Sequence, residues 1–191
     1  MKMNKTQKSE LKQLALQMKF PIVSDEGLLF LIKQIKNNNV KEVLEIGSGI
    51  GYSAIMLEDY VNKITTIEKN IYIYKIASMN IEKYSNGKII LHNSDALDLE
   101  LKDTYDLIFI DAAKAQYKKI FNKFKNNLKS NGIIICDNLN FHNLNPNEVS
   151  KNTKALLRKI ANFKEFLKTN KDFETTFTNR GDGMSISRRK K

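Results

Sequence analysis

The chain has 191 residues, a length that predicts one domain with a core of its own. A single cysteine excludes an internal disulfide and favours a reducing compartment, so we expect a cytoplasmic protein. The longest apolar runs, such as Leu28–Ile32, span four or five residues, whereas a membrane helix needs about 20. The sequence therefore predicts a soluble protein with no membrane partner.

Positive charge is concentrated in the second part of the chain. The formal net charge at pH 7 is +11, and residues 1–111 contribute −1 of it while residues 112–191 contribute +12. Codon bias towards lysine is one explanation, but it would raise lysine in both parts without removing acids from one. The asymmetry favours a surface that faces a polyanion.

Apolar periodicity predicts helices over residues 5–18 and 25–37, then short strands that alternate with helices. Five of these strands are predicted at 42–47, 63–68, 88–92, 105–111 and 131–137. Two further strands, 173–178 and 183–188, flank the turn Asn179–Asp182 and are expected to close the sheet as an antiparallel hairpin. This order predicts an α/β fold with a mostly parallel, doubly wound sheet, helices on both faces, and ligands beyond the carboxyl ends of the strands.

The first predicted strand leads into a glycine-rich loop, Gly47–Gly51. Glycines there allow a tight turn and let a ligand lie against the backbone at a helix N-terminus, although NAD-binding enzymes share the pattern. Glu45 lies two residues before the loop, where a carboxylate suits the ammonium group of an amino-acid moiety. Glu68 ends the second strand, where an acid can accept both ribose hydroxyls. The set favours S-adenosylmethionine (SAM) over NAD, and a capping role for each glutamate is the alternative.

Asp95 and Ala96 follow the third predicted strand. At that position Asp95 could accept the adenine amino group, and Ala96 could offer a backbone N–H. A polar turn without a ligand explains the same residues nearly as well, so the inference depends on their position in the fold.

Acidic residues also follow the next two predicted strands, Asp111 after one and Asp137-Asn138 after the other. Adjacent parallel strands lie about 4.8 Å apart, so these side chains are expected to meet at one edge of the sheet. Carboxylates this close repel unless a proton or a cation lies between them, and two carboxylates with an amide oxygen suit Mg²⁺. The alternative is that each acid caps its own loop.

Lys114 lies three residues after Asp111, at the start of the next predicted helix. A nearby metal and partial desolvation would both favour its neutral form, which makes a lysine usable as a general base. A solvated lysine is the alternative. Cys136 is predicted to pack in the core, and His92 and His142 are predicted to be structural or surface residues.

These motifs, taken in order, resemble the metal-dependent O-methyltransferases of the catechol and caffeoyl-coenzyme A type. The resemblance runs from Ser24 to Met184 and includes the motif Asp111-x-x-Lys114-x-x-Tyr117. It implies a Rossmann-like, class I SAM-dependent methyltransferase fold with a seven-stranded sheet. It also implies methyl transfer from SAM to a hydroxyl that Mg²⁺ holds.

The resemblance further implies which residues form the site, with Lys114 as the catalytic base. The metal ligands that it implies are Asp111, Asp137 and Asn138. The residues that it implies around SAM are Val23, Glu45, Gly47, Ser53, Glu68, Asp95, Ala96 and Asp111.

The chain departs from the family at two places. Ala112-Ala113 stand where the animal catechol enzymes have a bulky His-Trp pair, and the turn Asn179–Asp182 is too short for the substrate-enclosing insertion of the plant enzymes. An open site in basic surroundings is similar to the bacterial branch that methylates wobble 5-hydroxyuridine in tRNA. The partner would then be the tRNA anticodon loop, whose unstacked bases a protein can reach, and the resemblance implies a homodimer.

Four basic residues are the candidates for RNA contact under this interpretation. Lys118 and Lys119 follow Lys114 by about one turn, and Arg180 and Arg188 are expected near the hairpin at the same sheet edge. Two alternatives stay open: the same chemistry on a small catechol-like metabolite, and a non-catalytic RNA-binding protein on a methyltransferase fold.

Overall fold

The computed structural model describes residues 5–140 and 149–190, so the prediction for His142 lies outside the described residues. The helices in these ranges are α1 (Lys5–Gln17), α2 (Asp25–Asn37), α3 (Tyr52–Leu57), α4 (Ile71–Tyr84), α5 (Tyr117–Phe124) and α6 (Lys151–Lys168). The strands are β1 (Glu42–Ile46), β2 (Lys63–Glu68), β3 (Ile89–Asn93), β4 (Tyr105–Ile110), β5 (Leu128–Cys136), β6 (Phe173–Thr178) and β7 (Met184–Arg189). A short 3₁₀ turn, Lys114–Gln116, leads into α5.

The seven strands of the described residues form one sheet in the order β3-β2-β1-β4-β5-β7-β6. β7 runs antiparallel to both of its neighbours, and the other strands share one direction. Because the chain crosses over between β3 and β4, a crevice opens beyond the carboxyl ends of β1 and β4. The predicted α/β fold, with its mostly parallel sheet and C-terminal antiparallel hairpin, is confirmed.

β5 begins at Leu128, three residues before the predicted start of the strand. Its first part is polar, so apolar periodicity does not mark it as a strand. Gly132 lets this part pass close to β4, since a Cβ there would lie 2.9 Å from the main-chain oxygen of Asp106. The pairing with β4 also shifts register between Tyr105 and Leu107.

Each face of the sheet carries its own apolar cluster, one under α1, α2 and α3 and one under α5 and α6. In the second cluster the Phe121 ring is fully buried and meets the edge of Phe173 at a centroid distance of 5.2 Å. Phe124, Leu128 and Cys136 are buried there too, so the predicted core position of Cys136 is confirmed. Burial of this α5 face fixes the start of α5 beside the ends of β4 and β5. None of the described helices is long and apolar enough to cross a membrane.

Candidate active site

A cleft of about 940 Å³ lies beyond the carboxyl ends of the parallel strands. It falls within the usual size range of small-molecule sites, which is about 300–1,000 Å³. The predicted site residues that line it are Val23, Gly47, Ser53, Glu68, Asp95, Ala96, Asp111, Lys114 and Asn138. Their positions at or just beyond the carboxyl ends of parallel strands therefore bring nearly all of the predicted site residues to one cleft.

The glycine loop forms the floor of the cleft and lies against the end of β4. Gly47 has φ +100°, and a Cβ there would lie 2.0 Å from the main-chain oxygen of Asp111. The N–H groups of Gly47 and Ser48 both donate to the main-chain oxygen of Ile67, at 3.0 and 3.1 Å. Gly51, with φ +84°, then begins α3. A side chain at residue 47 would separate the loop from the residue that is the first predicted metal ligand.

Glu45 lies beneath the cleft rather than in its wall, and it is only 1% exposed. Its two carboxylate oxygens accept hydrogen bonds from the hydroxyls of Ser53 and Thr66, each at 2.5 Å. Burial raises the pKa of Glu45 to about 7, and the charges of Asp111 and Glu68 add to that rise. Ser53 lines the cleft and Glu45 does not, so Glu45 lies behind the Ser53 hydroxyl, and its contact with an ammonium group stays a prediction.

Glu68 and Asp95 face the other end of the cleft. Glu68 accepts hydrogen bonds from the N–H groups of Gly49 at 3.1 Å and Asn70 at 2.8 Å, which ties the end of β2 to the glycine loop. Asp95 accepts one from Lys69 Nζ at 2.5 Å and one from the Leu97 N–H at 2.9 Å. These bonds lower the pKa of Asp95, with Lys69 as the largest cause, so its carboxylate is ionised at neutral pH.

The acidic edge consists of the residues that follow β4 and β5. Each acid is held by a last hydrogen bond of the parallel ladder, from the Asp111 N–H to Ile46 at 3.0 Å and from the Asp137 N–H to Ile110 at 3.1 Å. Asn138 Nδ2 donates to Asp111 Oδ1 at 3.0 Å. The predicted meeting of these residues at one edge is therefore observed.

Burial raises the pKa of both acids at this edge, that of Asp137 to about 7. The negative charge of Asp111 raises the pKa of Asp137 further, and the charge of Asp182 acts on both residues. Lys114 opposes these effects. The carboxyl groups of Asp111, Asp137 and nearby Asp182 outnumber the amine of Lys114, so the acidic edge has an excess of acidic groups.

Lys114 lies between the acidic edge and the start of α5. Its Nζ is 3.6 Å from Asp111 Oδ1 and 3.1 Å from the hydroxyl of Tyr117. Its side chain is 15% exposed and lines the cleft. An amine in this position can exchange a proton with a group bound in the cleft.

The acidic edge suits a hard divalent cation by charge and by donor type. The Asn138 amide presents its nitrogen to Asp111, so its oxygen would bind a cation only after a half-turn of the amide. Residues 5–140 and 149–190 contain no group of three or more His, Cys, Asp or Glu side chains arranged to hold a metal. The metal therefore stays a prediction that rests on two carboxylates and one amide.

The four basic residues predicted to contact RNA do not lie together. Lys118 and Lys119 are exposed beside the cleft. Arg180 precedes Asp182, which lines the cleft, but its Nη1 pairs with Glu26 Oε1 at 2.7 Å and so helps to hold the hairpin turn on α2. The expected position of Arg188 is wrong and is corrected by the direction of β7.

Because β7 is antiparallel, its carboxyl end lies at the edge of the sheet opposite the cleft. Arg188 pairs with Ile133, whereas Ser185 pairs with Cys136 beside the acidic edge. Four residues along β5 place Arg188 about 13 Å from the level of Asp137. Its Nη2 donates to Asn38 Oδ1 at 3.1 Å, at the end of α2.

Sequence reasoning missed two contributors to this region. Asp182 stands in the hairpin turn, and no local signal in the sequence places it near the acidic edge. Lys164 on α6 is half-buried and donates to Asn140 Oδ1 at 2.8 Å, and burial together with Lys168 lowers its pKa. The apolar pattern of α6, which puts Phe163 and Leu167 in the core, could have indicated which face carries these lysines.

Comparisons with known proteins agree with this geometry. A family model described as O-methyltransferase matches residues 2–190. A caffeoyl-CoA O-methyltransferase from Populus kitakamiensis is 30% identical over 182 residues, which cover 86% of this chain and 76% of that protein. A Staphylococcus aureus crystal structure named "putative caffeoyl-CoA O-methyltransferase" is 33% identical, with a TM-score of 0.89 over 96% of this chain and 92% of that one.

A Bacillus cereus O-methyltransferase, solved in complex with S-adenosylhomocysteine, has the same fold with a TM-score of 0.81 at 24% identity over 98% of this chain and 92% of that one. The match of the family model to nearly the whole chain, together with relatives at 30% identity or more, confirms the resemblance found in the motifs. The chain belongs to the O-methyltransferase family.

Proposed function

We propose that this protein transfers a methyl group from SAM to the 5-hydroxyl of wobble 5-hydroxyuridine in tRNA, forming 5-methoxyuridine. Family membership supplies the reaction class. The observation that carries the proposal is that the glycine loop, Lys114, and Asp111 and Asn138 of the acidic edge all border one cleft, with Asp137 buried just behind them. Methyl donor and acceptor oxygen can therefore meet there, and holding two reactants in line accounts for much of the rate gain of such a transfer.

SAM would lie across the glycine loop. Its amino-acid end would contact the Ser53 hydroxyl, which Glu45 orients, and its ribose would contact the Glu68 carboxylate. The oxygens of Asp95 keep lone pairs for the adenine amino group in addition to their present partners. Complexes of a family member with S-adenosylhomocysteine support a site of this kind.

Lys114 would take the proton from the acceptor hydroxyl. As a neutral amine it keeps two N–H donors for the protein oxygens around it and one lone pair for that proton. A divalent cation held by Asp111, Asp137 and Asn138 would supply a Lewis acid that makes the hydroxyl easier to deprotonate. The resulting oxyanion attacks the methyl carbon, and S-adenosylhomocysteine leaves.

The surface around the cleft supports a large polyanionic acceptor. Ala113 is exposed at the rim, so no bulky side chain at this position closes the acceptor side. Lys118 and Lys119 are exposed next to it, and half-buried Lys164 of the neighbouring helix α6 lies near the acidic edge through its hydrogen bond to Asn140. A flipped base could enter the cleft while backbone phosphates stay near these lysines.

A small catechol-like hydroxyl is the second candidate acceptor. The relatives named for caffeoyl-CoA favour it, since their names refer to a small-molecule acceptor. The chemistry at Lys114 and the acidic edge would be the same. Only the rim and its lysines distinguish the two acceptors.

The test is a methylation assay with both acceptors. Purified protein is incubated with SAM, Mg²⁺ and either tRNA containing 5-hydroxyuridine or a catechol, and the products are measured by mass spectrometry. We expect 5-methoxyuridine in digested tRNA at a kcat/KM well above that for the catechol. Methylation of the catechol alone would replace the tRNA proposal with the small-molecule one.

A further inference from the structure

Tyr117 is the first residue of α5, and its side chain is buried behind the acidic edge with 1% exposed. Its hydroxyl donates to the main-chain oxygen of Asp137 at 3.0 Å and accepts from Lys114 Nζ at 3.1 Å. A carbonyl can only accept, so the one proton of the phenol points to Asp137 and the Lys114 nitrogen donates to the phenol oxygen. The phenol therefore links Lys114 to the peptide bond between Asp137 and Asn138.

That peptide bond joins two of the residues assigned to the acidic edge. Its N–H, on Asn138, donates to Asp137 Oδ1 at 2.7 Å, and its carbonyl accepts from Tyr117. Asn138 has φ +59°, a left-handed conformation that asparagine adopts more readily than other non-glycine residues. Both polar groups of this peptide are held in place, one of them by the phenol.

The ring of Tyr117 cannot turn away from this position. Its edge packs against Phe163 of α6 at a centroid distance of 5.2 Å, within the apolar cluster under α5 and α6. The hydroxyl therefore projects from a fixed ring. Tyr117 is absent from the residues that line the cleft, so it acts on bound groups only through its neighbours.

The Lys114 ammonium has three protein oxygens near it. The Tyr117 hydroxyl is the nearest at 3.1 Å, followed by the Ala112 main-chain oxygen at 3.5 Å and Asp111 Oδ1 at 3.6 Å. Without the hydroxyl the strongest remaining attraction is the Asp111 carboxylate. The flexible lysine side chain would then move towards Asp111 and away from the acceptor.

We propose that Tyr117 is a positioning residue, whose hydroxyl holds Lys114 Nζ at the point where it meets the acceptor hydroxyl. The inference rests on the proposed function of Lys114 as the base. Misplacing a reacting group by about 1 Å costs up to about 10²-fold in rate, so the loss of the hydroxyl should be visible in kcat.

The first test compares Tyr117→Phe with Tyr105→Phe. Tyr105 is a matched control because it is equally buried in the same apolar cluster, and its hydroxyl has no hydrogen-bond partner in the part of the chain that the structure describes. Tyr117→Phe should lower kcat by about 10-fold to 10²-fold and leave the Kd for S-adenosylhomocysteine within about threefold. Tyr105→Phe should leave both unchanged, and an equal loss of kcat in the two variants would overturn the proposal.

A double-mutant cycle tests whether Tyr117 acts through Lys114. In a Lys114→Ala background the Tyr117→Phe change should lower kcat by less than about threefold, because the group that it positions is gone. If the loss of kcat in the double variant equals the product of the losses in the two single variants, the phenol does not act through Lys114 and the proposal is wrong.

A labelling experiment decides the point without any activity. Trace acetic anhydride acetylates the protein, and mass spectrometry compares the labelling of Lys114 with that of exposed Lys118 and Lys119. Tyr117→Phe should lower the relative labelling of Lys114 at least about threefold, because Nζ then moves to the Asp111 carboxylate and an ion-paired amine is a poorer nucleophile. Unchanged labelling overturns the positioning role, whereas an inert wild-type protein with both acceptors would overturn the proposed function alone.

Discussion

Replacing Gly47 by alanine should damage the loop and the acidic edge together. Residue 47 has φ +100°, where an L-residue is strained, and its Cβ would lie 2.0 Å from the main-chain oxygen of Asp111. Real Cβ atoms essentially never come closer than 3.0 Å to such an atom, so either the loop or the end of β4 must move. Movement of β4 would displace Asp111, and movement of the loop would displace the surface on which SAM is expected to lie.

A second glycine, Gly87, separates the cost of backbone strain from the cost of the steric clash. Gly87 has a similar φ of +94°, but a Cβ there would meet nothing within 4 Å. Gly87→Ala therefore costs only backbone strain, about 1–3 kcal/mol of unfolding free energy. Gly47→Ala costs the same strain plus the accommodation of a clash, which in a packed interior adds about 1–3 kcal/mol or more.

Urea unfolding of the two variants and the wild type measures this difference directly. We expect Gly47→Ala to be at least about 1 kcal/mol less stable than Gly87→Ala and to bind S-adenosylhomocysteine at least about tenfold more weakly in calorimetry. Gly87→Ala should bind it like the wild type. Equal stabilities, or unchanged binding by Gly47→Ala, would refute the close approach of the loop to Asp111.

Three further results are expected. Burial raises the pKa of Glu45 from 4.5 to about 7, so the native state keeps a proton that the unfolded chain releases as the pH rises. Between pH 4.5 and 7.5 the ligand-free wild type should therefore lose roughly 3 kcal/mol of unfolding free energy relative to Glu45→Gln. Urea unfolding of both proteins at these two pH values measures the difference. Asp137→Ala should abolish methyl transfer and leave S-adenosylhomocysteine binding within a few-fold, and full wild-type activity in excess EDTA would contradict a metal at the acidic edge. Charge reversal of Lys118 and Lys119 should raise KM for tRNA. It should also reduce the slope of log KM against log salt concentration by about 1.4, because two phosphate contacts are lost. Charge reversal of the exposed residues Lys33 and Lys41 should change neither KM nor this slope.

The positions of the site residues were predictable because one rule covers them. In a parallel sheet every strand delivers its next residue to the same edge, so Asp95, Asp111 and Asp137 needed only correct strand ends to be brought together. Those ends are marked by apolar runs that stop at a polar residue. In β5 the first residues are polar, so the predicted start of the strand was wrong by three residues. Its carboxyl end, which Asp137 follows, was still predicted to within one residue.

The direction of a strand and the depth at which a side chain is buried were harder to predict. Arg188 lies near the end of β7, whose apolar pattern says nothing about its direction relative to β5, and the antiparallel course of β7 carries the residue to the far edge of the sheet. Glu45 lies on a strand that is buried on both faces, so alternation cannot say whether its carboxylate faces a ligand or a serine. The hydrogen bond from Tyr117 to Asp137 depends on packing between α5 and the sheet, which no local pattern encodes.

The observed charges divide the site into two zones. Burial raises the pKa of Glu45 beneath the floor of the cleft, and the negative charges of Asp111 and Glu68 along that floor raise it further. Lys118, Lys119 and Lys164 stand outside the cleft, and burial, together with the charge of Lys168, lowers the pKa of Lys164. An acidic floor favours the cationic sulfonium and ammonium groups of SAM, and a basic rim favours an anionic acceptor that is too large to enter. A neutral catechol would interact with the floor alone. Dependence of KM on salt is therefore the property that should separate a tRNA acceptor from a small one, because phosphates at the rim release counterions on binding and a catechol has none to release.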